Sequence, residues 1–355
     1  MKHIIIVLKD ITESGGGERV CVNLANAFSE CMKVSIISFY RSQEQSVFAL
    51  DKRIHVRYLS AHGEKQSKIR KIFNKLLFRY YLSLKTCYIL KQMRADIALA
   101  NDGLFTPFIK VKHTKYVRLW HIKTPKKRKK VFARFDSLVI LSARDLEAWR
   151  HYHPSLRVIP NFLPSLPNIS TNYTQKVVIS AGRMDRGDQK GFLRLIDIWD
   201  LVMQDSSLRD WRLHIVGDGS MKEEIQEKIK SKNLQNSIIL KPFTKDIDHE
   251  YVQASIYAMA SNWEGFGMVL IESNACGLPA IAFDIATGPS DIIVDSLTGY
   301  LVQDKDLHTY ATRLQHLMND SALRENLGKQ AKQRVMQCFS KQAVMPLWQD
   351  IINDK

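Results

Sequence analysis

Two carboxylates, Glu264 and Glu272, lie eight positions apart in the stretch NWEGFGMVLIESNACG, residues 262–277. Between them lie the further candidate binding residues Gly265, Phe266, Gly267, Met268 and Val269. Glycines let backbone N–H groups approach a ligand closely, and a helix that begins near Gly267 would direct unpaired N–H groups at an anion. The spacing therefore predicts that the two carboxylates contact one extended ligand at different points. The alternative is a loop that leads into an ordinary amphipathic helix.

The first elements of the chain predict a β-loop-α-β unit that could position such a ligand. A buried strand is expected over residues 3–8, a helix over 18–28 and a second strand over 34–39. Gly16 and Gly17 belong to the glycine turn between the first strand and the helix, where backbone amides would meet a phosphate or a sugar. The turn lacks the G-x-G-x-x-G spacing of a dinucleotide site, and a plain tight turn is the alternative.

Strands continue to alternate with helices through both halves of the chain, which predicts two parallel-sheet domains that face each other. Their predicted bounds are 1–165 and 172–338, because residues 162–174 are rich in Pro, Asn, Ser and Thr without periodicity. A last apolar segment, about 340–355, is expected to pack back on the first domain. Strands that end before Asn101 and His121 place polar residues where open α/β sheets hold their sites.

Composition limits the classes of protein that fit. The chain of 355 residues is 45% hydrophobic, so it can bury sizeable cores. Its five scattered cysteines show no Cys-x-x-Cys, which favours a reducing compartment over a disulfide framework or a zinc site. No apolar run approaches the roughly 20 residues that cross a bilayer. We expect a cytoplasmic protein, peripheral to the inner face of the membrane.

Positive charge is concentrated in the first half. Residues 1–168 hold 31 Lys and Arg against 12 Asp and Glu, a net charge of +19, so the partner of that half is expected to be anionic. Residues 68–94 combine an apolar stripe with many cations, which fits either an anionic membrane surface or a core-packing helix with a solvated basic face. The cluster Lys126, Lys127, Arg128, Lys129 and Lys130 favours the surface role. Nucleic acid is not expected, because no nucleic-acid motif accompanies the charge.

Five segments of the second half resemble the retaining glycosyltransferases of the GT-B fold, in particular family 4. They are GRMDRGDQKG (182–191), VGDGS (216–220), EGFGMVLIES (264–273), GLPAI (277–281) and TGYLV (298–302). The N-terminal SGGGERV (14–20) also looks like the donor-side glycine loop of that family. The resemblance implies an α/β fold of two facing, Rossmann-like, doubly wound parallel-sheet domains with a central cleft.

The resemblance also implies roles for individual residues. Arg183 and Lys190 would hold the diphosphate of a nucleotide-sugar donor, which suits a guanidinium fork and an ammonium point charge. Glu272 would accept hydrogen bonds from the ribose, and Glu264 would hold the donor sugar. Backbone amides of Gly265, Phe266 and Gly267 would touch the sugar or the diphosphate, in the stretch that continues through Met268 and Val269.

His121 is similar to the histidine that the family places near the donor sugar, with a surface histidine as the alternative. Glu264 as a covalent nucleophile is less favoured than acceptor deprotonation by a donor phosphate oxygen. We expect no cofactor and no metal, because Asp246-x-Asp248 and Asp304-x-Asp306 do not close a strand of a nucleotide-binding first domain.

The resemblance predicts transfer of a hexose (galactose, glucose or N-acetylhexosamine) from a UDP-sugar to a lipopolysaccharide, capsule or lipid-linked glycan. The segment TGPSDII (287–293) loosely resembles galactosyl- and glucosyltransferases of that kind. The alternatives are a GDP-mannose-dependent mannosyltransferase of the same fold, a sugar-nucleotide epimerase and a non-catalytic nucleic-acid-binding protein.

Overall fold

The computed structural model describes residues 1–355 except 61–69, 102, 122–123, 126–129, 186 and 355, together with the side chains of 70–76. By its internal contacts the chain divides into two units. The first unit comprises residues 1–160 and 345–355, and the second comprises residues 161–344.

The first unit is built on a seven-stranded, all-parallel sheet in the order β3-β2-β1-β4-β5-β6-β7. Its strands are β1 His3–Leu8, β2 Lys33–Ser38, β3 His55–Tyr58, β4 Ile97–Ala100, β5 Lys115–Trp120, β6 Ser137–Ile140 and β7 Leu156–Val158. Its helices are α1 Gly16–Ser29, α2 Arg70–Gln92 and α3 Leu146–Arg150. The central strands read as continuous apolar runs because both faces of a parallel sheet are covered. The strand predicted over 3–8 is confirmed, and α1 begins two residues earlier than predicted.

The second unit is built on a six-stranded, all-parallel sheet in the order β10-β9-β8-β11-β12-β13. Its strands are β8 Val177–Ala181, β9 Arg212–Val216, β10 Ile238–Lys241, β11 Ile256–Met259, β12 Ala280–Asp284 and β13 Gly299–Gln303. Its helices are α4 Phe192–Val202, α5 Lys222–Ser231, α6 Ile247–Val252, α7 Met268–Ala275, α8 Pro289–Ile292, α9 Leu307–Asn319 and α10 Ser321–Cys338. Helix α4 packs with α5 and α9, whereas α7 packs with α6, α8 and α10.

A last helix, α11 Lys341–Asn353, contributes most of its length to the first unit. Trp348 packs edge-on against Phe28 of α1, with ring centroids 5.7 Å apart. Lys115, at the start of β5, donates to the Ile351 carbonyl over 2.9 Å.

The segment predicted as a linker, residues 162–174, is anchored within the second unit. Leu163 is buried and forms a β-bridge with Ser340. The Thr171 hydroxyl donates to the Cys276 carbonyl over 2.9 Å. The composition predicted a linker between the domains, but these contacts hold the segment within the second unit.

Helix α2 packs on the core of the first unit through residues other than those of its predicted apolar stripe. Leu82, Ile89 and Leu90 are buried in the core of the first unit. The apolar stripe within residues 68–94 includes Leu77 and Leu84, and these side chains are 62% and 52% exposed. The core-packing interpretation of that stripe is therefore wrong for the members whose side chains are described.

Candidate active site

An ion pair between Lys190 and Glu264 lies at the point where the sheet of the second unit changes direction. Strands β8 and β11 are neighbours, and the chain proceeds from β8 toward one edge of the sheet and from β11 toward the other. In open α/β sheets the loops at such a switch point form the ligand site. Lys190 follows β8 and Glu264 follows β11, so the two side chains come from these two loops.

The pair is short and nearly buried. Lys190 Nζ lies 2.7 Å from Glu264 Oε1, and the two side chains are 17% and 6% exposed. Ser261 Oγ donates to the same carboxylate oxygen over 2.7 Å. A carboxylate this deeply buried needs these partners, because burial of an isolated charge destabilises the fold by several kcal/mol. The structure thus pairs two residues for which the resemblance implied separate contacts, Lys190 with phosphate and Glu264 with sugar.

Close backbone approach between the two loops fixes the pair. Gly191, which precedes α4 as its N-cap residue, has φ +68°, and a Cβ there would lie 1.7 Å from the Ala260 carbonyl oxygen. Arg194 Nε donates to that same carbonyl over 2.5 Å. Asn262 Nδ2 donates to the Asp188 carbonyl over 2.6 Å, which connects the loops a second time. Because the backbones touch here, Lys190 reaches Glu264 without spanning a gap.

Two more residues shape this site. The aliphatic part of Lys190 lies along Gly182, where a Cβ would be 2.7 Å from Lys190 Cγ. Thr287 Oγ1 donates to the Glu264 carbonyl over 2.6 Å and so holds the backbone of that residue. Sequence reasoning did not assign Ser261 or Thr287 to the site. The signal for both was their position just after strands β11 and β12.

Arg183 lies at the exposed start of the same loop as Lys190. Its Nε is 3.5 Å from the Asp185 carboxylate, and the Arg183 side chain is 70% exposed. The arginine is therefore held loosely, by an exposed ion pair of the kind that contributes little to stability. Its role in diphosphate binding stays a prediction.

Helix α7 begins where the glycines predicted it. Gly267 precedes it with φ +97°, a left-handed conformation that favours glycine. The Phe266 side chain is buried and packs on Phe339, so only its backbone can face a ligand. Glu272 lies inside the helix and is 6% exposed. Its negative charge reinforces the effect of burial in raising the pKa of Tyr251 well above its usual value.

A second cluster of predicted residues lies in the first unit. His121 follows β5, and its Nε2 contacts Asn101 Oδ1 just past β4. Asn101 Nδ2 donates to the Gly17 carbonyl over 3.3 Å, near the start of α1. Strands β1 and β4 are neighbours at the switch point of this sheet. The sequence noted Asn101 as a residue after a strand but did not assign it to the site.

The Asn101 amide fixes the protonation pattern of His121. Because its nitrogen donates to Gly17, its oxygen faces the ring, and His121 Nε2 must carry the proton. Burial of the ring, helped by the charge of Arg118, lowers the pKa of His121 to about 4. The imidazole is thus neutral at neutral pH, with Nδ1 as the acceptor nitrogen.

Replacing Asn101 by aspartate is expected to raise the pKa of His121 by about 1 to 3, because an adjacent carboxylate favours the imidazolium. In the wild type His121 stays neutral until the pH falls toward 4; in the variant its charge appears as the pH falls through a higher value. An NMR titration of the histidine Cε1 protons, assigned with His121→Gln, measures this. A titration of His121 in Asn101→Asp that matches the wild type would contradict the assigned contact.

The cationic cluster that the sequence assigned to the acceptor and membrane side is described only at Lys130, which is exposed. Lys126, Lys127, Arg128 and Lys129 lie outside the described residues. Gly16 is the first residue of α1, and Met268 and Val269 are the first two residues of α7.

Residues 164–334 match the family model described as Glycosyl transferases group 1. The chain is 27% identical to the amylovoran biosynthesis glycosyltransferase AmsD of Erwinia amylovora, over 99% of this chain and all of that protein. It is 26% identical, over 90% of each chain, to a Campylobacter jejuni protein named GalNAc-alpha-(1->4)-GalNAc-alpha-(1->3)-diNAcBac-PP-undecaprenol alpha-1,4-N-acetyl-D-galactosaminyltransferase.

The fold is also that of solved structures. A mutant of S. aureus TarM in complex with Fondaparinux, alpha-GlcNAc-glycerol and UDP covers this chain fully and is covered fully by it, with a TM-score of 0.78 at 17% identity. At that identity the likeness concerns the fold alone. The predicted fold class, α/β with two Rossmann-like parallel-sheet domains of the GT-B type, is confirmed.

Proposed function

We propose that this protein is a retaining glycosyltransferase, because residues 164–334 match the model of Glycosyl transferases group 1. It would transfer a hexose (galactose, glucose or N-acetylhexosamine) from a UDP-sugar to a lipopolysaccharide, capsule or lipid-linked glycan. The observation that carries the proposal is the nearly buried Lys190–Glu264 pair at the switch point of the second sheet.

The charges at this pair suit the departure of a nucleoside diphosphate. Negative charge grows on the leaving diphosphate as the glycosidic bond breaks, and a preorganised cation nearby stabilises that change. Lys190 supplies such a cation, and exposed Arg183 on the same loop would supply a second. We expect catalysis without a metal, because these two cations take over charge neutralisation.

Glu264 would hold the donor sugar rather than attack it. Lys190 and Ser261 both contact its Oε1, and a carboxylate engaged in two such hydrogen bonds is a weaker nucleophile. A donor phosphate oxygen would take the acceptor proton on the face from which the diphosphate leaves, which retains the anomeric configuration.

The names of relatives support the class of substrates. The Erwinia relative is named for amylovoran biosynthesis, and the Campylobacter relative for a PP-undecaprenol-linked glycan. The TarM structure, similar in fold, holds UDP. The basic first half of this chain fits an acceptor carried on a phosphate-bearing lipid at the cytoplasmic face of the membrane.

A panel of donors tests the proposal: UDP-glucose, UDP-galactose, UDP-N-acetylglucosamine, UDP-N-acetylgalactosamine and GDP-mannose. We expect at least one UDP-sugar to raise the melting temperature and to be hydrolysed slowly, equally with Mg²⁺ and with EDTA. Hydrolysis of GDP-mannose alone would favour the mannosyltransferase alternative. Conversion of a UDP-sugar to its epimer would favour the epimerase, and binding of no donor would refute the enzyme.

Replacing Glu272 by glutamine is expected to weaken UDP binding about 10- to 100-fold, because hydrogen bonds to a charged group contribute about 1.5–3 kcal/mol. Calorimetry with UDP and 2′-deoxy-UDP measures this. The wild type should prefer UDP, and Glu272→Gln should lose much of that preference.

The matched control is Glu227→Gln, an exposed carboxylate of α5 in the same unit, which should leave both affinities unchanged. Equal affinities of wild type and Glu272→Gln for UDP would remove Glu272 from ribose binding.

A further inference from the structure

Helix α2 carries an exposed apolar face on the first unit. Leu77, Tyr81, Leu84 and Tyr88 are 62%, 52%, 52% and 60% exposed. Their spacing of four, three and four positions puts them on one side of a helix, along about 16 Å of its axis. Residues of this size exposed in a row mark a surface that binds something apolar.

A neighbouring loop widens this face. Tyr80, which is 44% exposed, stacks on Phe108 with ring centroids 4.1 Å apart. Ile109 follows and is 50% exposed. The face is not an accident of a poorly packed helix, because the opposite side of α2 is firmly buried: Leu82, Ile89 and Leu90 are at most 2% exposed.

The charge around this face selects its partner. Among the described side chains from residue 77 to residue 95 there are four Lys and Arg, at 79, 85, 91 and 94, and no Asp or Glu. Lys91 is exposed one turn beyond Tyr88, and Lys85 Nζ lies 5.7 Å from the centroid of the Tyr81 ring. Two copies of this helix placed face to face would bring like charges together, which is unfavourable. An anionic surface with an apolar interior satisfies both features.

We propose that the face of α2 formed by Leu77, Tyr81, Leu84 and Tyr88 lies in the headgroup region of an anionic lipid bilayer. The leucines enter the acyl boundary, the tyrosine rings lie at headgroup level, and the flanking lysines meet lipid phosphates. No described helix is long and apolar enough to cross a bilayer, so attachment of this kind is peripheral. The inference rests on the proposed function for its purpose, which is to bring the enzyme to a lipid-borne acceptor.

Cosedimentation with vesicles tests the proposal without using catalysis. The full chain is mixed with vesicles of phosphatidylcholine alone or with one quarter phosphatidylglycerol. The wild type should bind the anionic vesicles and bind the neutral ones far more weakly. Leu77→Gln/Leu84→Gln should bind the anionic vesicles at least about tenfold more weakly than the wild type does. Lys85→Gln/Lys91→Gln should lose about fivefold per lysine.

Controls separate membrane binding from other causes. Phe243→Gln/Leu297→Gln removes two side chains that are 68% and 50% exposed in the second unit, and it should bind vesicles like the wild type. Gel filtration and thermal unfolding verify that the variants keep the fold. Donor hydrolysis should be unchanged in Leu77→Gln/Leu84→Gln, so loss of vesicle binding and loss of enzyme activity are scored separately.

Equal binding of wild type and Leu77→Gln/Leu84→Gln to anionic vesicles would overturn the proposal. So would a wild-type dimer that this variant converts to a monomer while vesicle binding persists, because the face would then belong to a second copy.

Discussion

Lys190→Ala is expected to reduce the rate of sugar transfer by about 10²–10³, the usual effect of removing one preorganised contact to developing negative charge. Most of the loss should be in kcat, since the charge on the diphosphate grows in the transition state. Initial rates at saturating and at limiting donor measure it. A near-normal rate would show that the ammonium does not act on the leaving group.

The same substitution should also destabilise the second unit. Glu264 is 6% exposed and would lose its cationic partner, at a cost of about 3–5 kcal/mol. A rate loss caused by misfolding must therefore be separated from one caused by chemistry.

The double variant Lys190→Met/Glu264→Gln tests whether loss of stability alone explains the loss of rate. It removes both charges and keeps the volumes, so the melting temperature should recover most of what Lys190→Ala loses. The transfer rate should not recover. If the rate returns with the stability, Lys190 serves only the fold.

Gly191→Ala is expected to be the most damaging glycine substitution near the site, with a loss of more than about 4 kcal/mol of unfolding free energy. The new methyl would need the space of the Ala260 carbonyl, 1.7 Å away, at a residue whose φ is +68°. The loops could separate only by giving up the hydrogen bond between Arg194 and that carbonyl. Chemical denaturation followed by circular dichroism measures the loss.

Gly187→Ala is the matched control. Gly187 also has a positive φ, +88°, but a Cβ there meets nothing within 4 Å. Its cost should be only the left-handed conformation of an L residue, about 1–2 kcal/mol. Similar losses for the two variants would mean that the contact with the Ala260 carbonyl does not hold the loops together.

The elements that the sequence predicted well are those with a local cause. The apolar run at 3–8 is short and continuous, as in the buried strands of parallel sheets, and the glycine at 267 marks the start of α7. Direct pairing of Lys190 with Glu264 has no local cause. It requires β8 beside β11, an order of strands that neither residue's surroundings encode.

Helix α2 shows why the spacing of apolar residues did not identify the buried face of a helix. The helix has apolar residues on two sides, and spacing alone does not say which side the sheet covers. Leu82 and Ile89 pack inward, whereas Leu77 and Leu84 remain outside. The sequence did not assign Asn101 to the site for a related reason. Asn101 contributes through hydrogen bonds to Gly17 and His121, and both residues are distant from it in sequence.

The division of the chain has a consequence for biosynthesis. Residues 161–344 are contiguous and can acquire their structure as soon as the ribosome has released them. The first unit also includes residues 345–355, with Trp348 against Phe28, so its full set of contacts forms only after the rest of the chain has been synthesised. The unit that is translated first is therefore the unit whose structure is completed last, whereas N-terminal domains generally fold first during synthesis.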